Sequence, residues 1–273
     1  MTHSYIEQIT AEAAGVQITA CTHGAHLLSW TSDGVERLWM SPISRCGEAT
    51  SIRGGVPVLF PQFAAFGRLP KHGFARTSLW HHVGAPEEAG RAMLAFQLRD
   101  SAHSRAIWPN PFTARLTISA SATDLAMTMS ITNQDDYAAR FTAGLHTYYA
   151  VADPEARITG LGGCLAWDGV SPEHPRFSVP VADEFRAIDE RDLAVHDAIG
   201  PVVLHDSLLG DITLTADGFP DRVVWNPGPQ HRLPDVRPGD EAGFVCIEPA
   251  VLTPVDLPAG QTWSGSQRLS LSS

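Results

Sequence analysis

The property that most limits what this 273-residue chain can fold into is its succession of short runs that alternate apolar and polar residues, each closed by turn-forming residues. A period of two puts successive side chains on opposite faces of a strand, and helical periodicity is nearly absent. The runs are "VQITACT" (Val16 to Thr22), "HLLSWTS", "VERLWM", "RAMLAFQLR" (Arg91 to Arg99), "FTARLTISAS" (Phe112 to Ser121), "LAMTMSITN" (Leu125 to Asn133), "RFTAGLHTYYAV" (Arg140 to Val151), "DITLTA", "DRVVW", "GFVCIEP" and "TWSGSQRLSL". Asp33-Gly34, between the second and third, is a strong hairpin dipeptide. One short helix is expected in "DSAHSRAIW" (Asp100 to Trp108), stopped by Pro109. Many strands at turn-punctuated spacing predict an all-β sandwich or barrel. The length admits one large domain or two small ones, and with 23 Gly and 20 Pro spread throughout no linker divides it. "VSPEHPRFSVPVADE" and "WNPGPQHRLPDVRPGDE" read as long surface loops, a length that is often functional.

Charge and cysteine usage narrow the partners. A formal net charge of −11 argues against nucleic acid, a polyanion that most of the surface would repel. Cys21, Cys46, Cys164 and Cys246 lie far apart with no metal or redox spacing, so they read as reduced thiols of a cytoplasmic protein. "MTHSYIEQIT" has no basic region followed by an apolar run, and no signal peptide is expected. No apolar stretch approaches the ~20 residues of a membrane span, so membrane is not an expected location.

One segment opposes the overall charge. From Ala49 through Pro86 there is no acid, and Arg53, Arg68, Lys71 and Arg76 fall within it; without these four the rest of the chain stands at −15. Lys71 is the sole lysine in the sequence. Arg presents a planar fork suited to phosphate or carboxylate oxygens, and Lys a compact charge. Gly54-Gly55 would let the backbone take positive φ and approach a ligand. "PKHGFAR" adds His72 between Lys71 and Arg76. The segment is either a solvated basic loop or a pocket for a small phosphorylated or carboxylated ligand. It is no P-loop, because the glycine-lysine-serine/threonine pattern is missing.

Two residues qualify as acid and base. In "FTAGLHTYYAV", alternation sets Thr142, Gly144, His146 and Tyr148 on one face, and a glycine beside a histidine suggests close approach there. Glu248 closes the apolar run "GFVCI" and precedes Pro249; burial there would raise its pKa toward the range of a general base. Each could equally be a structural residue. His23 with His26, and His81 with His82, lack a carboxylate or cysteine at ligand spacing, so no metal is expected.

"RGGVPVLFPQF" followed by "LPKHGFAR", together with "GLHTYYAV", "GLGG", "VVWNP" and "FVCIEPA" in that order, resembles the hexose-6-phosphate mutarotases (glucose-6-phosphate 1-epimerases) of the aldose 1-epimerase superfamily. The resemblance spans nearly the whole chain. It implies one domain over residues 1–273, a large antiparallel β-sandwich of the galactose mutarotase-like supersandwich type. It implies a cofactor-independent isomerase, monomeric, acting on a small sugar phosphate, with His146 as general acid and Glu248 as general base. Arg53, Lys71, His72 and Arg76 would line the substrate and phosphate site. From "DERDLAV", Asp192 would contact the sugar, with Asp189 as the alternative. Two departures bear on substrate choice: Lys71 stands where many relatives have Gln, and the loop after "WNP" lacks their aromatic and Met pattern. The rival readings are a mutarotase for neutral aldoses and a carbohydrate-binding sandwich without catalysis.

Overall fold

The computed structural model describes residues 6–44, 50–171 and 178–272. Its strands form three antiparallel sheets, two of which make a β-sandwich. The outer sheet has nine strands in the order Glu184–Arg186, Arg157–Thr159, Val202–His205, Ile212–Asp217, Thr262–Leu271, Asp124–Asn133, Phe112–Ala120, Ala92–Arg99 and His81–Val83. Along Phe112–Ala120 buried and more exposed positions alternate without a break, as expected of a sheet with one face on the core and one in water.

The inner sheet runs Val179–Pro180, Leu165–Asp168, Arg191–Val195, Asp221–Asn226, Phe244–Leu257, Ala139–Leu145 and Val58–Leu59, with Tyr148–Ala150 also paired to Phe244–Leu257. A small third sheet joins Gln8–Ala13, Val16–Cys21, His26–Ser32 and Val35–Glu36. The hairpin at Asp33-Gly34 forms with both residues at positive φ, 48° and 78°. Leu145, Leu193, Val224 and Ile247 of the inner sheet join Leu116, Ile118, Met127, Met129 and Leu269 of the outer one in a continuous apolar core. The α-helix is Ala102–Ile107, begun by a Ser101–Ser104 capping box. Among the described residues no helix is long and apolar enough to cross a membrane. Cys21 and Cys246 are buried and Cys164 partly so, none of them in a disulfide; Cys46 lies outside the described residues.

Two local readings need revision, and a third gains its partner. The strand expected over Arg140 to Val151 is interrupted after Leu145 and resumes at Tyr148. The strand expected to close at Glu248 runs on to Leu257, so Glu248 sits mid-strand. The close approach at Gly144 is made by Phe63: a Cβ added there would meet the Phe63 ring at 2.8 Å. Gly144→Ala is therefore expected to cost about 1–3 kcal/mol by overpacking. Thermal melting would register this as a fall of several degrees, and an unchanged midpoint would mean that Phe63 yields freely.

Candidate active site

Register places the acid and base candidates. Gly144 pairs with Ala250 and Tyr148 with Cys246. The same register carried across the interruption sets His146 opposite Glu248. Their side chains meet with His146 Nε2 3.4 Å from Glu248 Oε1, and both are nearly fully buried. Asp192 reaches the same face two strands away, since Asp192 pairs with Trp225 and Val223 with Glu248.

The remaining groups arrive on the segment from Arg53 to Arg76. Gly54 and Gly55 do adopt positive φ, but what they approach is backbone, the Trp39 and Leu27 carbonyls, rather than the cavity. The ring of His26 reaches the Gly54 carbonyl at 2.7 Å and that of His23 reaches the Thr50 carbonyl at 2.8 Å. These histidines brace the segment that carries Arg53. Arg53 donates to the Tyr148 hydroxyl at 2.8 Å and lies 3.1 Å from Asp235. Gln62 holds the following loop by donating to the carbonyls of Ala64 and Leu69 and accepting from the Leu69 N–H. His72, at a φ of 66°, turns back over that loop, and its Nδ1 accepts the Ala64 N–H at 3.2 Å. The neutral ring therefore carries its proton on Nε2.

His146, Glu248, Arg53, Lys71, His72, Arg76 and Asp192 all line one cavity of about 400 Å³. Its apolar walls are Phe63, Phe66, Trp167 and Trp225, an amphipathic lining suited to a sugar ring. Arg68 does not belong to it; it is exposed and borders a separate cavity with Arg140 and Trp108. Asp189 pairs with Arg191 at 3.5 Å, half exposed, and is not part of the lining. Among the described residues Lys71 and Arg76 have no ion-pair partner, and the Arg76 Nε is buried without a hydrogen bond.

Burial dominates the electrostatics. It pushes the Glu248 carboxyl well up, helped by Asp192 and opposed by Lys71 and Arg76. It pushes the His146 imidazole well down, and His72, Arg53 and Arg76 add to this. Burial and the three neighbouring cations lower His72 to about 2. Burial raises the Asp192 carboxyl against the pull of Lys71. The couple thus holds one proton between two groups, the arrangement a reversible acid–base step requires. His146, Cys246 and Glu248 have ligand atoms within 4.8 Å of one another, as do His196, Asp197 and Asp221. A divalent cation at the first group would face Arg53 and Arg76, and burial holds the Cys246 thiol well above its usual range.

The bracing histidines lead to a pH prediction. Burial lowers His26 to about 4, so below pH 6.5 the unfolded chain binds a proton that the folded one refuses. Stability contributed by neutral His26 is present above pH 6.5 and lost as the pH falls toward 4, by about 3 kcal/mol. His26→Gln, which can still donate to the Gly54 carbonyl, should show a shallower fall in melting temperature over that window. Parallel curves for the two proteins would contradict the assignment.

A family model described as "Aldose 1-epimerase" matches residues 7–270. Proteins from Cenchrus ciliaris and Escherichia coli (strain K12), both named "Putative glucose-6-phosphate 1-epimerase", are each 31% identical, over 262 and 252 residues. The alignments cover 91% and 90% of this chain and 79% and 83% of those proteins. The crystal structure of "a putative mutarotase (YeaD) from Salmonella typhimurium" is similar with a TM-score of 0.86 at 26% identity, covering 99% of this chain and 92% of that one.

Proposed function

The chain belongs to the aldose 1-epimerase family, and from that premise we propose that it interconverts the α and β anomers of hexose 6-phosphates, such as D-glucose 6-phosphate. The observation that carries this reading is the sharing of one cavity: Lys71 and Arg76, without ion-pair partners among the described residues, border the same space as His146 and Glu248. In a chain of net charge −11, cations without a salt bridge at a cavity favour an anion there.

The chemistry asks for one base and one acid. Glu248, as carboxylate, takes the proton of the C1 hydroxyl; His146, as imidazolium, gives its proton to the ring oxygen as the C1–O5 bond breaks. The aldehyde forms, the C1–C2 bond rotates, and the reverse transfers close the other anomer. His72 Nε2–H and Asp192 are the groups available to orient sugar hydroxyls, while Phe66, Trp167 and Trp225 cover the ring faces. A phosphate held by Lys71, Arg76 and the free edge of Arg53 keeps the open chain in register with the couple, so remote binding energy serves orientation.

Anomer exchange followed by NMR tests the reading. The expected result is a kcat/KM for glucose 6-phosphate at least about tenfold above that for glucose, the size of one charged hydrogen bond. Equal values would point instead to a mutarotase for neutral aldoses. A rate no faster than the spontaneous one with any aldose would leave a carbohydrate-binding sandwich.

A further inference from the structure

We propose that the substrate's own phosphate sets the proton on His146: a dianion held by Arg53, Lys71 and Arg76 turns a resting neutral couple into the imidazolium–carboxylate pair that opens the ring. This rests on the hexose-phosphate reading, and it adds that the anion activates the chemistry as well as anchoring the sugar.

The geometry that carries it is the surroundings of the His146 ring. On one side, 3.4 Å away, is Glu248. Stacked on the ring at 4.8 Å and 6° is Tyr148, whose hydroxyl accepts from Arg53. The His72 and Trp225 rings each lie 5.8 Å off, edge-on. Cys246 completes the cluster as a buried thiol, and Arg76 and Lys71 border the same space. Apart from Glu248, the charged groups that act on this imidazole are the cations Arg53 and Arg76; Asp235 lies beside Arg53 and within electrostatic reach of Arg76, and Asp192 lines the same cavity within reach of Lys71 and Glu248. Such surroundings disfavour a further positive charge. With burial raising the carboxyl and lowering the imidazole, the shared proton rests on Glu248. That is the wrong end for catalysis.

Sugar connectivity supplies the correction. The ring oxygen is bonded to C1 and C5, and C5 bears C6 with its phosphate. If the C1 hydroxyl meets Glu248 and the ring oxygen meets His146, the phosphate falls on the imidazole's side of the couple. Its charge then favours imidazolium more strongly than it disfavours carboxylate, the more distant group. The step is balanced: the O–H bond of Glu248 breaks, the N–H bond at His146 Nε2 forms, and no proton is exchanged with solvent.

D-xylose, which resembles glucose without C6, supplied together with inorganic phosphite, tests this directly. Phosphite should raise kcat/KM for xylose anomer exchange by about tenfold or more, saturably, above the enzyme-free rate. Arg76→Ala should abolish that rise. In ¹⁵N-labelled protein the His146 ring nitrogens should move toward imidazolium values as phosphite binds. Phosphite that competes with glucose 6-phosphate but neither accelerates xylose nor moves these signals would overturn the inference and leave the hexose-phosphate reading standing. Phosphite that fails to compete, with glucose 6-phosphate turned over no faster than glucose, would overturn both.

Discussion

Glu248→Gln is expected to lower the enzyme-dependent exchange of glucose 6-phosphate anomers by about 10²–10⁴-fold while the protein stays folded. The substitution keeps the shape of the side chain and removes its ability to accept a proton. Because burial already favours the uncharged carboxyl, the amide replaces a group of similar polarity. Little stability should be lost, and the melting temperature separates damage to the chemistry from damage to the fold. His146→Ala should reduce the rate to a similar extent, although it also opens space against Tyr148 and Trp225. The two changes act on one proton-transfer unit, so the double variant should be scarcely worse than either single one. Exchange must be read as the excess over the spontaneous reaction, which sets the floor. Either single variant retaining activity within about threefold of the parent would fall outside the range for a general acid or base and end the assignment.

Whether this much could be read from the sequence depends on how each strand is buried. Phe112–Ala120 and Thr262–Leu271 keep one face in solvent, so their alternation survives in the residue order and their bounds are legible to within a residue. Phe244–Leu257 is buried on both faces from Phe244 to Leu252, which erases the alternation. Pro249 also looked like a strand end, since proline donates nothing to a ladder. Ile247 donates to Thr147, and alternation sends position 249 toward the same side, where the neighbouring strand is interrupted. The missing donor is therefore harmless, and only the tertiary pairing reveals it.

The site divides along the same line. The cationic group could be read because charge is visible in composition, although Arg68 turned out to belong elsewhere. Glycine at 54, 55 and 144 did signal tight approach, but sequence could not say whether a ligand, a carbonyl or Phe63 would fill the space. Asp192 and Asp189 are indistinguishable in "DERDLAV"; the pairing of Asp192 with Trp225 separates them. Asp235 was missed altogether, for it meets Arg53 across a long sequence separation within a loop that has no pattern of its own. Trp167 and Leu233 were missed for the same reason, being ordinary apolar residues until the fold brings them to the cavity.

Arg76→Ala should cost glucose 6-phosphate about 10- to 100-fold in kcat/KM and glucose much less, so that the ratio between the two substrates collapses. Arg76 is the sharpest probe of the three cations. Arg53 is tied to Asp235 and Tyr148, so its removal would also strand a carboxylate beside the cavity. Lys71 is exposed, and water screens an exposed charge. Arg76 is largely buried and, among the described residues, makes one hydrogen bond, to the Lys71 carbonyl at 3.2 Å, and no salt bridge, while Glu248 and Asp235 act on it only from a distance. A guanidinium so placed costs stability, because burial removes its hydration, unless something anionic joins it. Removing it should therefore leave the melting temperature of the free protein unchanged or raised, and weaken the stabilisation conferred by added phosphate. Arg76→Lys, which keeps the charge but loses the planar fork, should fall between parent and alanine for the phosphorylated sugar. A loss equal for both sugars, or a marked drop in the stability of the free protein, would show that Arg76 supports the fold rather than an anion.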